Sequence, residues 1–283
     1  MSIKDLITEQ RNPNTIHIDT MSTLDMVKAI NTEDQKVAVS VGTQKTKIAK
    51  AIDLASHNYK KGGRLIYIGA GTSGRLGVLD AVELVPTYGI SPQRAIGLIA
   101  GGSTAMYTAI EKSEDSEKLA EKDLKKIKLS SADIVLGLAA SGRTPYVIGG
   151  LKYAKKIGSL TISIACVKNS KIGKIAKVPI EAVVGPEVIT GSTRMKAGTA
   201  QKMILNMIST GVMIRQGKVY QNIMIDVKPT NNKLINRAER IICDCTNISL
   251  KEASKLLEKA NMQVPLAITM AKARKSSNTE KFS

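Results

Sequence analysis

The chain has 283 residues, 43% of them hydrophobic, enough for one large α/β domain with helical additions or for two smaller domains. Its 42 Lys+Arg outnumber 24 Asp+Glu for a net charge of +18, which suits anionic partners. With no Trp, one Phe and seven Tyr, it lacks the aromatic platforms on which single-stranded nucleic acid stacks, and its lysines are spread along solvated helix faces.

Cys166, Cys243 and Cys245 give no disulfide framework, and with only His17 and His57 beside them no zinc set. The opening MSIKDLITEQ lacks the apolar core of a signal peptide. No uncharged apolar run approaches the roughly 20 residues of a membrane span. A cytoplasmic protein is expected, acting on a small phosphorylated molecule, with no nucleic-acid or membrane partner.

In chain order, residues 1–20 read as irregular. Ser22-Thr23-Leu24-Asp25 has the capping-box pattern that opens a helix. Apolar positions Val37, Val41, Ile48 and Ile52, spaced by threes and fours, predict a second helix over Glu33–Tyr59, stopped at Lys61-Gly62-Gly63. Five short apolar runs then alternate with helix-length segments: Leu65–Ile68, Ala95–Ile99, Ile134–Leu138, Leu160–Ala165 and Val178–Val184. Their lack of alternation suits strands buried on both faces. The pattern predicts a three-layer αβα sandwich around a five-stranded, parallel, doubly wound sheet. Helices are expected over Met195–Arg215, Asn231–Cys243, Ser249–Ala260 and about Val264–Ala273. The expected division is an N-terminal helical extension (1–60), a sheet domain (61–228) and a C-terminal helical region (229–283).

The first strand runs into Gly69-Ala70-Gly71-Thr72-Ser73-Gly74, a literal G-x-G-x-x-G. In a dinucleotide fold an acidic residue about 20 positions on should hold the ribose. From Leu84 to Ile110 there is no Asp or Glu, so that reading is weak. The third strand ends in Ala139-Ala140-Ser141-Gly142-Arg143-Thr144-Pro145, so two strands each feed an S-G-R turn that opens a helix. Hydroxyls, free backbone N–H groups and helix dipoles at two neighbouring strand ends make an anion site. Gly71, Thr72, Ser73, Ser141, Gly142 and Thr144 are its candidate residues. The competing reading is that Ser73, Ser141 and Thr144 only cap helices. Neither loop carries the Lys-Ser/Thr of a nucleoside-triphosphate P-loop.

At these residues the chain resembles the sugar isomerase (SIS) domain family, whose members bind phosphosugars through such loops. The run Gly185-Pro186-Glu187-Val188-Ile189-Thr190-Gly191-Ser192-Thr193-Arg194-Met195-Lys196-Ala197-Gly198-Thr199-Ala200-Gln201-Lys202 narrows the likeness. It resembles a signature of the branch that removes the D-lactyl ether of N-acetylmuramate 6-phosphate and that also holds the glucokinase regulatory protein. The resemblance extends to about Asn261. It implies conversion to N-acetylglucosamine 6-phosphate and D-lactate in recycling of cell-wall amino sugars, in a homodimer. It also implies Glu83 as general acid and Glu114 as general base. Arg194 and Lys196 are further candidates for the phosphate or the lactyl carboxylate.

The chemistry wants two such carboxyls. Opening the sugar ring exposes a C1 aldehyde that acidifies the C2 proton. A carboxylate removes that proton while a carboxylic acid protonates the departing C3 oxygen, and neither a metal nor a redox cofactor is needed. Ala-Val-Glu83-Leu-Val-Pro predicts an apolar setting that keeps Glu83 protonated, and Ser113-Glu114-Asp115-Ser116 a polar one suited to a carboxylate. Without the resemblance, Glu114 reads as ordinary surface charge. An unbroken helix from Ser73 to Glu83 would separate them by ~15 Å, so either the helix ends early or another subunit completes the site, and the dimer that the resemblance implies makes a shared or interface-proximal site the expectation. The alternatives are a non-catalytic phosphosugar sensor and an aldose–ketose phosphosugar isomerase, which would not need the acid. The polar C-terminus reads as shorter than the family's helical tail.

Overall fold

A computed structural model describes residues 7–110, 112–226, 229 and 231–279, the side chains of 274–279 excepted. The chain forms two compact units, Met1–Glu83 with Pro92–Val212, and Leu84–Ser91 with Met213–Ser283. The larger unit takes in the N-terminal helices that the sequence suggested as a separate extension.

The first helix, α1 (Thr23–Gly42), starts where expected, with Ser22 Oγ accepting from Asp25 N at 3.2 Å. It ends at Gly42, and α2 spans Lys45–Lys60, so the single helix expected over Glu33–Tyr59 is two. The break has a tertiary cause. Ser40 Oγ donates to Val183 O at 2.7 Å and Gln44 Oε1 accepts from Glu181 N at 3.2 Å, tying the corner to the edge of the sheet. Apolar spacing continues through the corner, so periodicity alone does not reveal it.

The sheet comprises β1 (Leu65–Gly69), β2 (Ala95–Ile99), β3 (Ile134–Leu138), β4 (Leu160–Ala165) and β5 (Val178–Glu181), all parallel, in the order β2-β1-β3-β4-β5. The helices are α3 (Gly71–Tyr88), α4 (Glu117–Lys126), α5 (Pro145–Ile157), α6 (Lys171–Ile175) and α7 (Lys196–Arg215). Successive side chains of β1 point to opposite faces. Ile66 and Ile68 join Leu124, Val147, Leu151 and Ile172 in one core layer. Tyr67 lies against α3, where a Cβ at Gly77 would come within 2.8 Å of its own Cβ. Helices on both faces make the three-layer sandwich that the apolar runs predicted.

One ion pair sets the register that places the site. Arg64 donates to Asp133 Oδ1 through its backbone N and Nε, both at 3.0 Å, and to Oδ2 through Nη2 at 2.7 Å. Burial raises the Asp133 pKa, but the Arg64 guanidinium and the amides of Ser130 and Arg64 outweigh it and hold the carboxyl below its usual value. This clamp pins the start of β1 to β3, pairing Leu65 with Ile134 and, at the other end, Gly69 with Leu138. The loops after the two strands therefore leave the sheet at the same level.

The smaller unit has its own core. The hairpin β6 (Val219–Tyr220) and β7 (Ile223–Met224) is followed by α8 (Asn232–Thr246), α9 (Leu250–Lys259) and α10 (Val264–Thr279). Ile242, Leu256, Leu257 and Val264 are buried there. The capping box read at Ser249 is formed, with Glu252 Oε2 accepting from Ser249 N at 3.0 Å. Among the described residues no helix is long and apolar enough to cross a membrane.

Candidate active site

The strand order reverses between β1 and β3, and ligands of open parallel sheets bind outside the carboxyl ends of strands at such a point. A cleft of about 430 Å³ lies there, lined by Gly71, Thr72, Ser73, Ser141, Thr144 and Glu114, with Glu9, Asp115, Arg143 and Thr193 among the other residues of its wall. Five of the six expected anion-site residues therefore meet around one space, and the expected base meets them there.

Each loop contributes differently. Helix α3 begins at Gly71, in the left-handed region at φ 51°, where an added Cβ would meet nothing within 4 Å. Gly74 N donates to Ala70 O at 3.2 Å, and the amides before it precede the helical ladder and have no carbonyl partner within it. They sit at the positive end of the helix dipole, as an anion requires. Ser73 is buried and donates its hydroxyl to Gln201 Oε1 at 2.8 Å, which fixes the Oγ lone pairs. Ser73-Gly74-Arg75 thus lies inside the helix rather than before it.

After β3 the equivalent tripeptide precedes its helix. Thr144 is the N-cap of α5, yet its side chain makes no capping bond, and Pro145 supplies no N–H. Among the described residues the hydroxyls of Thr72, Ser141 and Thr144 have no hydrogen-bond partner. The capping alternative therefore fails for Ser73, Ser141 and Thr144 alike.

Gly142 is the one expected anion-site residue that does not line the cleft. It is buried, its N–H goes to Ala139 O at 2.9 Å, and its carbonyl accepts from Ile172 N at 3.1 Å. At φ 67°, an added Cβ would lie 2.4 Å from Ser170 Cβ. Its role is to turn the chain tightly against Ser170, which Glu181 anchors by accepting from Ser170 N and Oγ, both at 2.8 Å.

Glu114 stands on a short 3-10 turn, Ser113–Asp115, after Lys112 in the left-handed conformation at φ 67°. It is exposed to the cleft, matching the polar setting expected of a carboxylate. Glu83 is elsewhere. It lines a second cavity of about 320 Å³ with Leu76, Leu79, Asp80, Lys202, Leu205 and Asn206. Helix α3 is unbroken from Ser73 to Glu83, so ten residues separate them by ~15 Å along the axis. Glu83 is also exposed, so the apolar residues beside it in sequence do not bury it in this chain. The less exposed carboxyl of this cavity is the half-buried Asp80, whose pKa desolvation raises, and which accepts from Ser209 Oγ at 3.1 Å.

The third motif anchors the rim. Glu187 is fully buried and caps α7, accepting from Lys196 N at 3.0 Å and Ala197 N at 2.9 Å. Lys196, a candidate anion contact from sequence, is buried, and its Nζ lies 2.5 Å from Glu33 Oε2. Burial opposes the charge of Glu33, yet Lys196, Lys36 and the Asn14 and Asn12 amides prevail and hold its pKa down to about 2. The Lys196 ammonium is therefore spent inside the protein. Arg194 is exposed and does not line the cleft. Gln201, Glu9 and Thr193 were not singled out in sequence. Only the spacing of Gln201 to the start of α7 could have suggested that it is buried.

Solved structures that share this fold include a phosphoheptose isomerase from Francisella tularensis (TM-score 0.53, 15% identity, covering 69% of this chain and 100% of that one) and a phosphoheptose isomerase from Neisseria gonorrhoeae (0.52, 16%, 68% and 98%). The family model for the SIS domain matches residues 112–210, and that for the glucokinase regulatory protein N-terminal SIS domain matches residues 47–155. Fold and site together are those of a SIS-domain protein.

The curated relatives narrow this further. N-acetylmuramic acid 6-phosphate etherase of Lactobacillus gasseri is 73% identical over 99% of this chain and 95% of its own length, and that of Clostridium beijerinckii is 58% identical over 95% and 89%. The chain belongs to the N-acetylmuramic acid 6-phosphate etherase family. That membership does not favour the sensor or isomerase alternatives.

Proposed function

We propose that this chain is a carbon–oxygen lyase that cleaves the D-lactyl ether of N-acetylmuramic acid 6-phosphate, giving N-acetylglucosamine 6-phosphate and D-lactate. The reading is carried by the cleft in which Glu114 joins the two strand-end loops, in a chain 73% identical to a named etherase. Apart from Glu9, the phosphosugar site belongs to residues 61–228, and the reaction serves amino-sugar recycling in the cytoplasm.

The 6-phosphate takes the amides at the start of α3, that of Ser73 included, and the hydroxyls of Thr72, Ser141 and Thr144, while the Ser73 hydroxyl stays on Gln201. These groups are held before the ligand arrives, so little ordering accompanies binding. With the ring open, Glu114 removes the C2 proton, the C2–C3 double bond forms, and the C3–O bond breaks. Glu83 gives the departing oxygen its proton, so lactate leaves neutral at that oxygen. Water then adds at C3 with Glu83 as base, and Glu114 returns a proton to C2. The atoms balance as substrate plus water giving the two products.

Because Glu83 and the cradle of one chain lie ~15 Å apart along α3, the acid comes from a second copy in a homodimer. Burial in that interface supplies the apolar setting that Glu83 lacks in the single chain.

Incubation with N-acetylmuramic acid 6-phosphate should release D-lactate, and Glu114→Gln should abolish release. Folded wild-type protein that yields no lactate would overturn the reading. The shared site has its own test. Glu83→Ala and Glu114→Gln proteins, each nearly inactive, should regain about a quarter of wild-type activity on mixing if half the dimers are mixed and each holds one intact site. Mixtures that stay inactive while exchanging subunits would place both groups in one chain.

A further inference from the structure

Beside the cleft, and sharing Ala70, Gly71 and Glu114 with it, lies a cavity of about 220 Å³. Its remaining wall is Arg75, Ala100, Ala105, Ala109 and Ile110. Ala100 and Ala105 are each 4% exposed, so this part of the wall is set by the core. A Cβ at Gly101 would lie 3.2 Å from the Cβ atoms of both Ala105 and Ile110, so the wall is already in close contact behind. Arg75 reaches across with Nε donating to Met106 O at 3.0 Å, which orients the guanidinium. Its Nη groups have no hydrogen bond among the described residues. Neither the phosphate cradle nor the proton transfers use Arg75 or these alanines.

The proposed reaction determines which part of the sugar lies here. Glu114 acts on the C2 proton, and the other substituent of C2 is the acetamido nitrogen, one bond away. That group must therefore sit beside Glu114. An acetamido group has an apolar methyl, a carbonyl acceptor and no charge. The cavity offers a wall of small apolar side chains and a guanidinium donor.

We infer that this cavity receives the 2-acetamido group, with Ala100, Ala105 and Ala109 against its methyl and Arg75 donating to its carbonyl oxygen. The inference rests on the etherase reading. It makes Arg75 a specificity-determining residue: a free 2-amine, protonated at neutral pH, meets like charge there and offers no acceptor. It also makes the alanines a limit on acyl size, since extra methylenes in a fixed apolar pocket are discriminated against.

The test measures D-lactate release from muramic acid 6-phosphates carrying a free amine, an N-acetyl or an N-propionyl group. Ala109 is exposed at the cavity mouth, so Ala109→Leu should fold with an unchanged thermal midpoint. It should lower kcat/KM on the acetyl substrate by about tenfold and on the propionyl substrate further. Arg75→Met should shrink the preference for acetyl over amine by about tenfold. A glycolyl ether in place of the lactyl ether serves as the control. If the variants respond to the ether's methyl and not to the acyl chain, the cavity serves the ether and the inference falls. It also falls if the acyl profile is the same in wild type and Ala109→Leu. Wild-type protein that releases no lactate would instead overturn the etherase reading. In that case direct binding of N-acetylglucosamine 6-phosphate against glucosamine 6-phosphate, to wild type and Ala109→Leu, still decides: equal preference in both proteins overturns the pocket.

Discussion

After β1, Ser73-Gly74-Arg75 lies inside the first turns of α3, which begins at Gly71; after β3, Ser141-Gly142-Arg143 lies ahead of α5, which begins at Pro145. In the first loop the glycine with left-handed backbone opens onto the cleft, and in the second it is pressed against Ser170. The serines differ too. Ser73 is buried and bonded to Gln201, whereas Ser141 and Thr144 line the cleft with hydroxyls that bond to no described residue. Identical tripeptides thus stand at different offsets from their helices and divide two tasks, shaping a turn and presenting donors, in opposite ways. A motif match reports which residues are near a site, and the helix start decides what each can do.

The glycines give the largest expected effect. Gly142→Ala forces a Cβ to 2.4 Å from Ser170 in a left-handed conformation, which should cost about 3 kcal/mol. Gly71→Ala meets no atom within 4 Å and should cost about 1 kcal/mol, from the left-handed backbone alone. Denaturant midpoints of the two variants check the difference, and equal losses would mean that the loops are built alike.

The hydroxyls sharpen the comparison at a smaller scale. Ser141→Ala and Thr144→Val should each raise KM about tenfold while moving stability by no more than about 0.5 kcal/mol, because neither hydroxyl holds the fold. Ser73→Ala should move KM less and instead lose about 1 kcal/mol, because Gln201 Oε1 is left buried without its donor. Paired kinetics and urea titrations separate the two classes.

Much of this was legible in the sequence. The runs Ala95–Ile99, Ile134–Leu138 and Leu160–Ala165 are strands with those bounds, because strands buried on both faces leave uninterrupted apolar segments. The last run ends early, at Glu181, whose carboxylate is needed to anchor Ser170. The division of α1 from α2 was not legible, because hydrogen bonds to residues 181 and 183 create it. Thr72, Ser73, Ser141, Thr144 and Glu114 could be named from motif and resemblance, and they share a cleft. The roles of Gly142 and Lys196 could not be. Local sequence does not show that Ser170 lies under one, or that Glu33, 163 residues away, faces the other.

That last contact bears on how far the fold can be trimmed. The five-stranded sheet begins at Leu65 and invites a minimal fragment that starts there. Such a fragment would keep the buried Lys196 ammonium and discard its only salt-bridge partner among the described residues, Glu33. Stranding one member of a buried pair costs about 3–5 kcal/mol, a large share of the stability of an ordinary domain. The helices before the sheet are therefore a counter-ion to the loop that begins α7, and the two must be inherited, exchanged or redesigned together.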